Sequence, residues 1–384
     1  MNKSLTLLGA MLAFLALTAC EKTEQAILDE PTPPKQTQQQ PSQNKINHKQ
    51  IKAPSAAPRK TQPVSKSVFV PPKSVLMPKP TPLTIKRCMN LGNALEAPNE
   101  GDWGYTIRSR DLKNIRDAGF DTIRLPVRWD THAQHRPPYQ IDPNFMARVK
   151  TVSSGAKAYG LNVIIDVHHY ESLMSNTARE EARFLAIWDQ IARNFSSAPN
   201  SVFFEILNEP TLDISMEELN ALYAKTVPII RASNPTRKLI LGGNSWNSIE
   251  SLSLINFPKD ANLVATFHDY GPHAFTHQGA EWSKPEMPLG RRWGGKADAA
   301  EFKDTYKLAR AFTAKTGIPI LVGEFGVIDK VPQSQRNAWV KMRRKAMEEN
   351  GYAWCAWDYS GAFKAYDTKS ETWLPGTLNA LFGR

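Results

Sequence analysis

A (β/α)8 TIM barrel of the α/β class is the fold that this 384-residue sequence predicts for residues 84–384, on three observations. Eight short apolar runs alternate with stretches of helical period, the pattern of parallel strands joined by right-handed crossovers. Polar and aromatic residues collect at the carboxyl end of every run, where barrel enzymes assemble their sites. No glycine-rich phosphate turn follows the first run, since Gly92 alone does not make one, and this sets the closed barrel above an open doubly wound sheet.

The strands are expected at 88–93 (CMNLGN), 120–127 (FDTIRLPV), 162–168 (NVIIDVH), 202–207 (VFFEIL), 239–243 (LILGG), 263–268 (LVATFH), 319–324 (PILVGE) and 352–357 (YAWCAW). Between them the period lengthens. Phe145, Val149, Val152, Ala156 and Tyr159 share one helical face, with Gly160 placed as a stop. Asp117-Ala118-Gly119 ends an earlier helix, and Phe184, Ile187, Ile191 and Phe195 form another apolar stripe. Trp188 and Trp339 lie on helical faces and are expected in the core, whereas Trp246, Trp282 and Trp293 fall in loops at the rim. The run ends carry, in order, Asn93 and Glu96, Arg124 and Trp129, His168 and His169, Asn208 and Glu209, Asn244 and Trp246, His268 and Tyr270, Glu324, and Trp357.

The segment before the barrel has a different composition. Residues 1–19 read as a lipoprotein signal peptide: Lys3, then an apolar run from Leu5 to Leu17 that is shorter than the roughly 20 residues a membrane-spanning helix needs. Leu17-Thr18-Ala19-Cys20 resembles the lipobox of bacterial lipoproteins, which implies cleavage before Cys20, lipidation of Cys20 and an envelope location, with Glu21 favouring the outer membrane. Residues 20–83 are expected to be a disordered Pro/Gln/Lys-rich tether. Residues 31–83 hold 12 of the 28 prolines and nine Lys or Arg with no Asp or Glu, too little apolar surface to offset the entropy of ordering. Most of the formal charge of +11 therefore sits on the tether, which reads first as a solvated spacer; as a binding segment, its exported setting points it at the anionic envelope rather than at nucleic acid. Besides Cys20 there are Cys88 and Cys355, each inside a strand candidate. The expectation is two buried free thiols, with a disulfide open only if their strands are neighbours.

Glu209, after the fourth run, and Glu324, at the end of the seventh, face each other across the mouth of such a barrel. That placement suits one carboxyl as proton donor and the other as attacker on a glycosidic carbon. Retaining glycosidases hold the pair about 5–5.5 Å apart and inverting ones leave room for water. The donor's pKa must then be raised by its surroundings. Glu205, deeper in the same run and of the same parity, reads as structural and needs a partner such as an Arg.

At these residues the chain resembles glycoside hydrolase family 5. The matching stretches are NLGNALEAPNEGDWG (90–104), IRLPVRW (123–129), DVHHY (166–170), FFEILNEP (203–210), His268 with Tyr270, FTHQGAEW (275–282), GEFG (323–326) and WDYSGAF (357–363), in the family's order from about residue 86 onward. The resemblance implies Glu209 as acid/base and Glu324 as nucleophile. Asn208 would hold the sugar 2-hydroxyl, Arg124 and Tyr270 would hydrogen-bond Glu324, and His168, His169 and His268 would line the subsite. Trp357 would lie beneath the sugar ring, and Asn93, Glu96 and Trp282 would belong to the substrate-side wall. Asp269 departs from relatives that carry an aromatic residue between the His and the Tyr; the expected consequence is an altered rim or added acidity beside His268.

The function this implies is a retaining endo-β-1,4-glucanase, a monomer acting on β-glucan without cofactor. The alternatives are a β-mannanase or other hemicellulase of the same mechanism, and a non-catalytic carbohydrate-binding lipoprotein. His168-His169, and His273 with His277, match no metal-ligand spacing, so no metal site is expected.

Overall fold

The computed structural model describes residues 78–283 and 285–383. The expected signal peptide, the expected lipidation site Cys20 and the expected tether up to residue 77 lie outside the described residues. Thr81 is tied to the barrel: its N–H donates to the Ala261 carbonyl at 2.9 Å and its carbonyl accepts Lys238 Nζ at 2.9 Å.

Eight parallel strands close in sequence order: β1 (Arg87–Asn90), β2 (Thr122–Leu125), β3 (Asn162–Asp166), β4 (Val202–Glu205), β5 (Leu239–Gly242), β6 (Leu263–His268), β7 (Ile320–Phe325) and β8 (Ala353–Ala356). Each overlaps one of the eight apolar runs. The helices α1 (Ser109–Ala118), α2 (Pro143–Ala158), α3 (Glu171–Ser175), α4 (Thr177–Asn194), α5 (Met216–Ser233), α6 (Asn244–Asn247), α7 (Ile249–Leu252), α8 (His273–Thr276), α9 (Lys296–Thr316) and α10 (Gln333–Glu349) fill the connections. After β8 a two-stranded hairpin, β9 (Tyr366–Asp367) with β10 (Thr372–Trp373), and α11 (Thr377–Phe382) complete the chain.

Local chemistry sets the helix ends. Asp142 caps α2 by accepting the Asn144 and Phe145 N–H groups, ahead of Pro143 at the first helical position. Ser215 and Glu218 form a reciprocal capping box on α5. Gly119 ends α1 at φ 104°, a left-handed conformation that costs other residues.

Strand parity sorts the barrel. On β4, Val202 and Phe204 face the helices while Phe203 and Glu205 face the lumen. The floor of the lumen is apolar: Ile85, Cys88, Ile164, Phe203, Ile240, Val264, Leu321, Ala353 and Cys355 form one buried cluster. Above it lies a polar layer of Asn90, Arg124, Asp166, Glu205 and Thr266, all fully buried.

The expectation of free thiols is overturned. Cys88 and Cys355 are register partners on β1 and β8, their Cα atoms are 4.1 Å apart, and a disulfide joins them across 267 positions of sequence. Closure of the barrel makes its first and last strands neighbours, which supplies the short Cβ separation that a disulfide requires.

Candidate active site

Arg124 stands at the centre of the polar layer. Its Nε and NH2 donate to the two oxygens of Glu205 at 2.6 and 2.9 Å, giving Glu205 the partner its burial requires. NH2 also reaches Asp166 Oδ2 at 3.0 Å and Asn208 Oδ1 at 2.6 Å; NH1 donates to Glu324 Oε1 at 2.9 Å and Asn90 Oδ1 at 3.0 Å. Burial alone would push the guanidinium down, but Glu205 and Asp166 outweigh it and hold the side chain charged. It is thus both a core ion pair and a ligand of Glu324.

Glu324, at the end of β7, accepts Arg124 on one oxygen and the Tyr270 hydroxyl on the other at 2.8 Å. Glu209 follows β4 with φ 42°, and its Oε1 meets His268 Nδ1 at 2.8 Å; that same nitrogen is 3.6 Å from Glu324 Oε2. One oxygen of each carboxyl and the imidazole nitrogen all lie within 4.8 Å of one another. The Glu324 side chain is 5 % exposed and that of Glu209 27 %. Burial is the first cause pushing both carboxyls up to about 7; for Glu324 the Glu209 charge adds to it, while His268, Arg124 and Tyr270 oppose it.

The hydrogen-bond network assigns the imidazole tautomers. Asn247 Nδ2 faces His268 Nε2 at 3.4 Å, so Nδ1 carries the proton toward Glu209. Asp166 Oδ2 accepts from His168 Nδ1 at 2.8 Å, and Asn208 Nδ2 faces His168 Nε2 at 3.5 Å. Burial first, then the Arg124 charge, pushes His168 well down, and burial likewise lowers His268.

Trp357 lies parallel to His168, with ring centroids 5.7 Å apart and planes 2° from coplanar. The fit depends on glycines: a Cβ on Gly92 would stand 2.9 Å from the indole, and one on Gly326 would stand 2.1 Å from the Trp357 carbonyl oxygen. His169 packs edge-on to Trp103 at 6.0 Å and continues the aromatic row outward. Trp246 and Trp282 are exposed at the rim. Trp246 donates its backbone N–H to the Pro210 carbonyl at 3.2 Å, and Trp282 lies 6.4 Å from Phe363.

Some expected site residues sit differently. Asn93 donates Nδ2 to Asp358 Oδ2 at 2.7 Å, and Glu96 is buried against its own loop, accepting the N–H groups of Asn93 and Ala94. Burial pushes Glu96 up to about 8. Trp129, expected at the rim, is wholly buried and donates its indole N–H to the Asp166 carbonyl at 2.8 Å. Asp269 does not acidify the rim; it points away from the mouth toward Tyr306 and Arg343. Asn90 and Asp166 open two of the matching stretches but carry no assigned role there, and Asn247 is not singled out by the sequence, although Asp166 shares strand parity with His168 and so signals its inward direction.

Glu209, His268 and Glu324 are close enough together to hold a divalent cation. Arg124 and Tyr270 instead take up the Glu324 oxygens, and a guanidinium 2.9 Å from one of them would repel a metal ion.

A protein-family model described as cellulase, glycosyl hydrolase family 5, matches residues 90–363, most of the barrel. The chain belongs to glycosyl hydrolase family 5. Endoglucanase H of Acetivibrio thermocellus is 34 % identical over 300 residues, which is 76 % of this chain and 32 % of that protein; this chain matches about a third of that relative's length. Among solved structures, Thermotoga maritima Cel5A in complex with cellobiose superposes at a TM-score of 0.76 with 39 % identity, covering 78 % of this chain and 97 % of that one. Cel5A in complex with mannotriose gives the same values. At that TM-score and coverage the two Cel5A structures share the fold of this chain's barrel.

Proposed function

We propose that the protein is a retaining endo-β-1,4-glucanase in which Glu324 is the nucleophile and Glu209 the acid/base. The observation that carries the reading is that one oxygen of Glu209 and one of Glu324 lie within 4.8 Å of each other across the mouth, a close approach that favours direct attack over an intervening water. Their partners differ. Arg124 and Tyr270 both hydrogen-bond Glu324, whereas among the described residues Glu209 is bonded to the neutral His268 imidazole and feels the Arg124 charge without a hydrogen bond to it; near neutrality the proton the pair shares therefore resides on Glu209.

In the first step a Glu324 oxygen bonds to the anomeric carbon, the bond to the leaving oxygen breaks, and that oxygen takes the Glu209 proton. In the second, Glu209 removes a proton from water, the water oxygen attacks the same carbon, and the Glu324 carboxylate departs. Asn208, held by Arg124 through Oδ1 and facing His168 Nε2 with one amide N–H, keeps the other for the sugar 2-hydroxyl, and Trp357 supplies the face beneath the ring.

The glucan assignment is supported by the endoglucanase relatives. The mannotriose complex of Cel5A favours the second reading, a β-mannanase using the same two carboxyls. Hydrolysis of carboxymethylcellulose, barley glucan, glucomannan and xyloglucan side by side decides between them; strong mannan cleavage without glucan cleavage would defeat the first. The roles are tested with an aryl glycoside whose leaving group needs no proton. Glu209→Ala is expected to form the glycosyl intermediate on it, and Glu324→Ala is not.

We also propose an envelope lipoprotein tethered through Cys20, on the sequence pattern at Ala19-Cys20. Incorporation of labelled fatty acid, lost in Cys20→Ala, is the expected result; an unlabelled wild-type chain would remove the anchor from the account.

A further inference from the structure

Tyr270 supplies one of the two hydrogen bonds that direct Glu324, and part of what holds Tyr270 lies behind the barrel wall. Side chains alternate where the chain leaves β6: His268 and Tyr270 face the mouth, and Asp269 faces α9 and α10. Asp269 Oδ2 accepts the Tyr306 hydroxyl of α9 at 2.9 Å, and its Oδ1 is 3.3 Å from NH1 of Arg343 on α10. On the other side of Tyr270, the Gly271 carbonyl accepts from Arg343 NH2 and, at 2.9 Å, from the Trp339 indole N–H. Arg343 is 1 % exposed and lies over the rings of Phe302 and Trp339, 4.8 and 5.2 Å from their centroids. The approach depends on Gly271, because a Cβ there would stand 3.1 Å from Arg343 NH2 and 2.2 Å from Glu301 Oε1.

We propose that Arg343 is a positioning residue for Tyr270 and, through the Tyr270 hydroxyl, for the reacting oxygen of Glu324. The inference rests on the reading of Glu324 as nucleophile. One guanidinium bridges the residues on both sides of Tyr270, so it fixes the backbone from which the tyrosine ring projects. The ring is then braced inside the mouth by His277 and Phe363, at 4.8 and 5.8 Å. A buried ion pair that served stability alone would need only Asp269; the added bond to Gly271 ties the cation to the position of the site. The groups that face Glu324 are Arg124 from β2, Glu209 after β4, and His268 and Tyr270 from β6; those that face Arg343 are Asp269, Glu301 and Tyr306. Arg343 therefore reaches the Glu324 carboxyl through Tyr270, while its partner Asp269 separately holds the Glu324 backbone by donating its N–H to the Glu324 carbonyl at 2.9 Å.

Arg343→Met, shown folded by circular dichroism, is expected to lower kcat roughly ten- to a hundredfold with KM nearly unchanged. It should also move the acidic limb of the kcat/KM profile to higher pH, because a carboxylate that loses an O–H donor holds its proton more tightly. Tyr270→Phe should produce that shift directly, and the double variant should shift no further than Tyr270→Phe alone. Should Arg343→Met fail to fold, Tyr306→Phe, which removes one bond to Asp269 and keeps every charge paired, is expected to move the same limb in the same direction by less. An unmoved acidic limb in a folded Arg343→Met or Tyr306→Phe, or a shift additive with Tyr270→Phe, overturns the proposal. Undiminished hydrolysis by Glu324→Ala would instead overturn the nucleophile assignment on which it stands.

Discussion

The floor and the mouth of this barrel are made from the same eight strands by opposite means. In the floor, Phe203, Ile164, Val264 and Leu321 exclude water from one another, and a covalent bond between Cys88 and Cys355 joins the first strand to the last. Two residues further along β4, Glu205 begins a layer in which a single guanidinium touches Glu205, Asp166 and Glu324. Apolar contacts are numerous and individually replaceable, whereas a cation among three buried carboxylates is a single point on which each of them depends. The floor therefore governs whether the barrel stays closed, and the mouth governs which carboxyl holds a proton.

The largest effect that would sharpen this contrast is at the mouth. Glu324→Ala is expected to lower kcat by at least roughly ten-thousandfold while leaving the thermal midpoint near that of the parent, measured by hydrolysis and by calorimetry. A comparable kcat with a collapsed midpoint would break the division. Arg124→Met crosses the boundary between the two regions. It should lose activity and also destabilise the fold by about 3–5 kcal/mol in denaturant titration, because three carboxylates lose their counter-charge at once. In the floor, the Cys88→Ala/Cys355→Ala pair should cost about 2–5 kcal/mol of stability and leave the pH profile unchanged; a moved limb would show that the two regions communicate.

Glu209→Gln, assayed on the aryl glycoside, tests the coupling within the mouth. Glu209 takes up the shared proton before Glu324 titrates, so the acidic limb, which reports Glu324, should stay in place and the alkaline limb, which reports loss of that proton from Glu209, should disappear. The smallest expected change is in Trp246→Ala, where an exposed rim indole is lost and the backbone bond to Pro210 is kept. KM on polymer should rise by about tenfold or less, with kcat on short substrates unchanged.

What the sequence made legible follows the range of the signal. Every strand was readable because a strand is a local pattern, and Glu209 with Glu324 because an acidic residue after an apolar run contradicts burial unless the run has reached a rim. The disulfide was not readable, since no local feature says that residues 88 and 355 share a seam. Asp269 looked like a change of the rim because its neighbours His268 and Tyr270 face the site; alternation turns it the other way, onto Arg343, whose own place on a helix of many cations gave no sign of a buried partner. Glu96 was placed at the mouth correctly by loop but not by contact, because a carboxyl can turn back onto its own backbone N–H groups as readily as toward a ligand. Trp129 failed for a related reason: the end of β2 offers both faces, and the indole took the buried one.

The cystine also changes what happens to the molecule when a loop is cut. It makes nearly the whole barrel a macrocycle, so a protease that severs any connection between β1 and β8 opens the ring without releasing a fragment. Nicked chains should migrate as one species under non-reducing electrophoresis and separate into two only after thiol is added, and until then both pieces remain tethered for re-annealing.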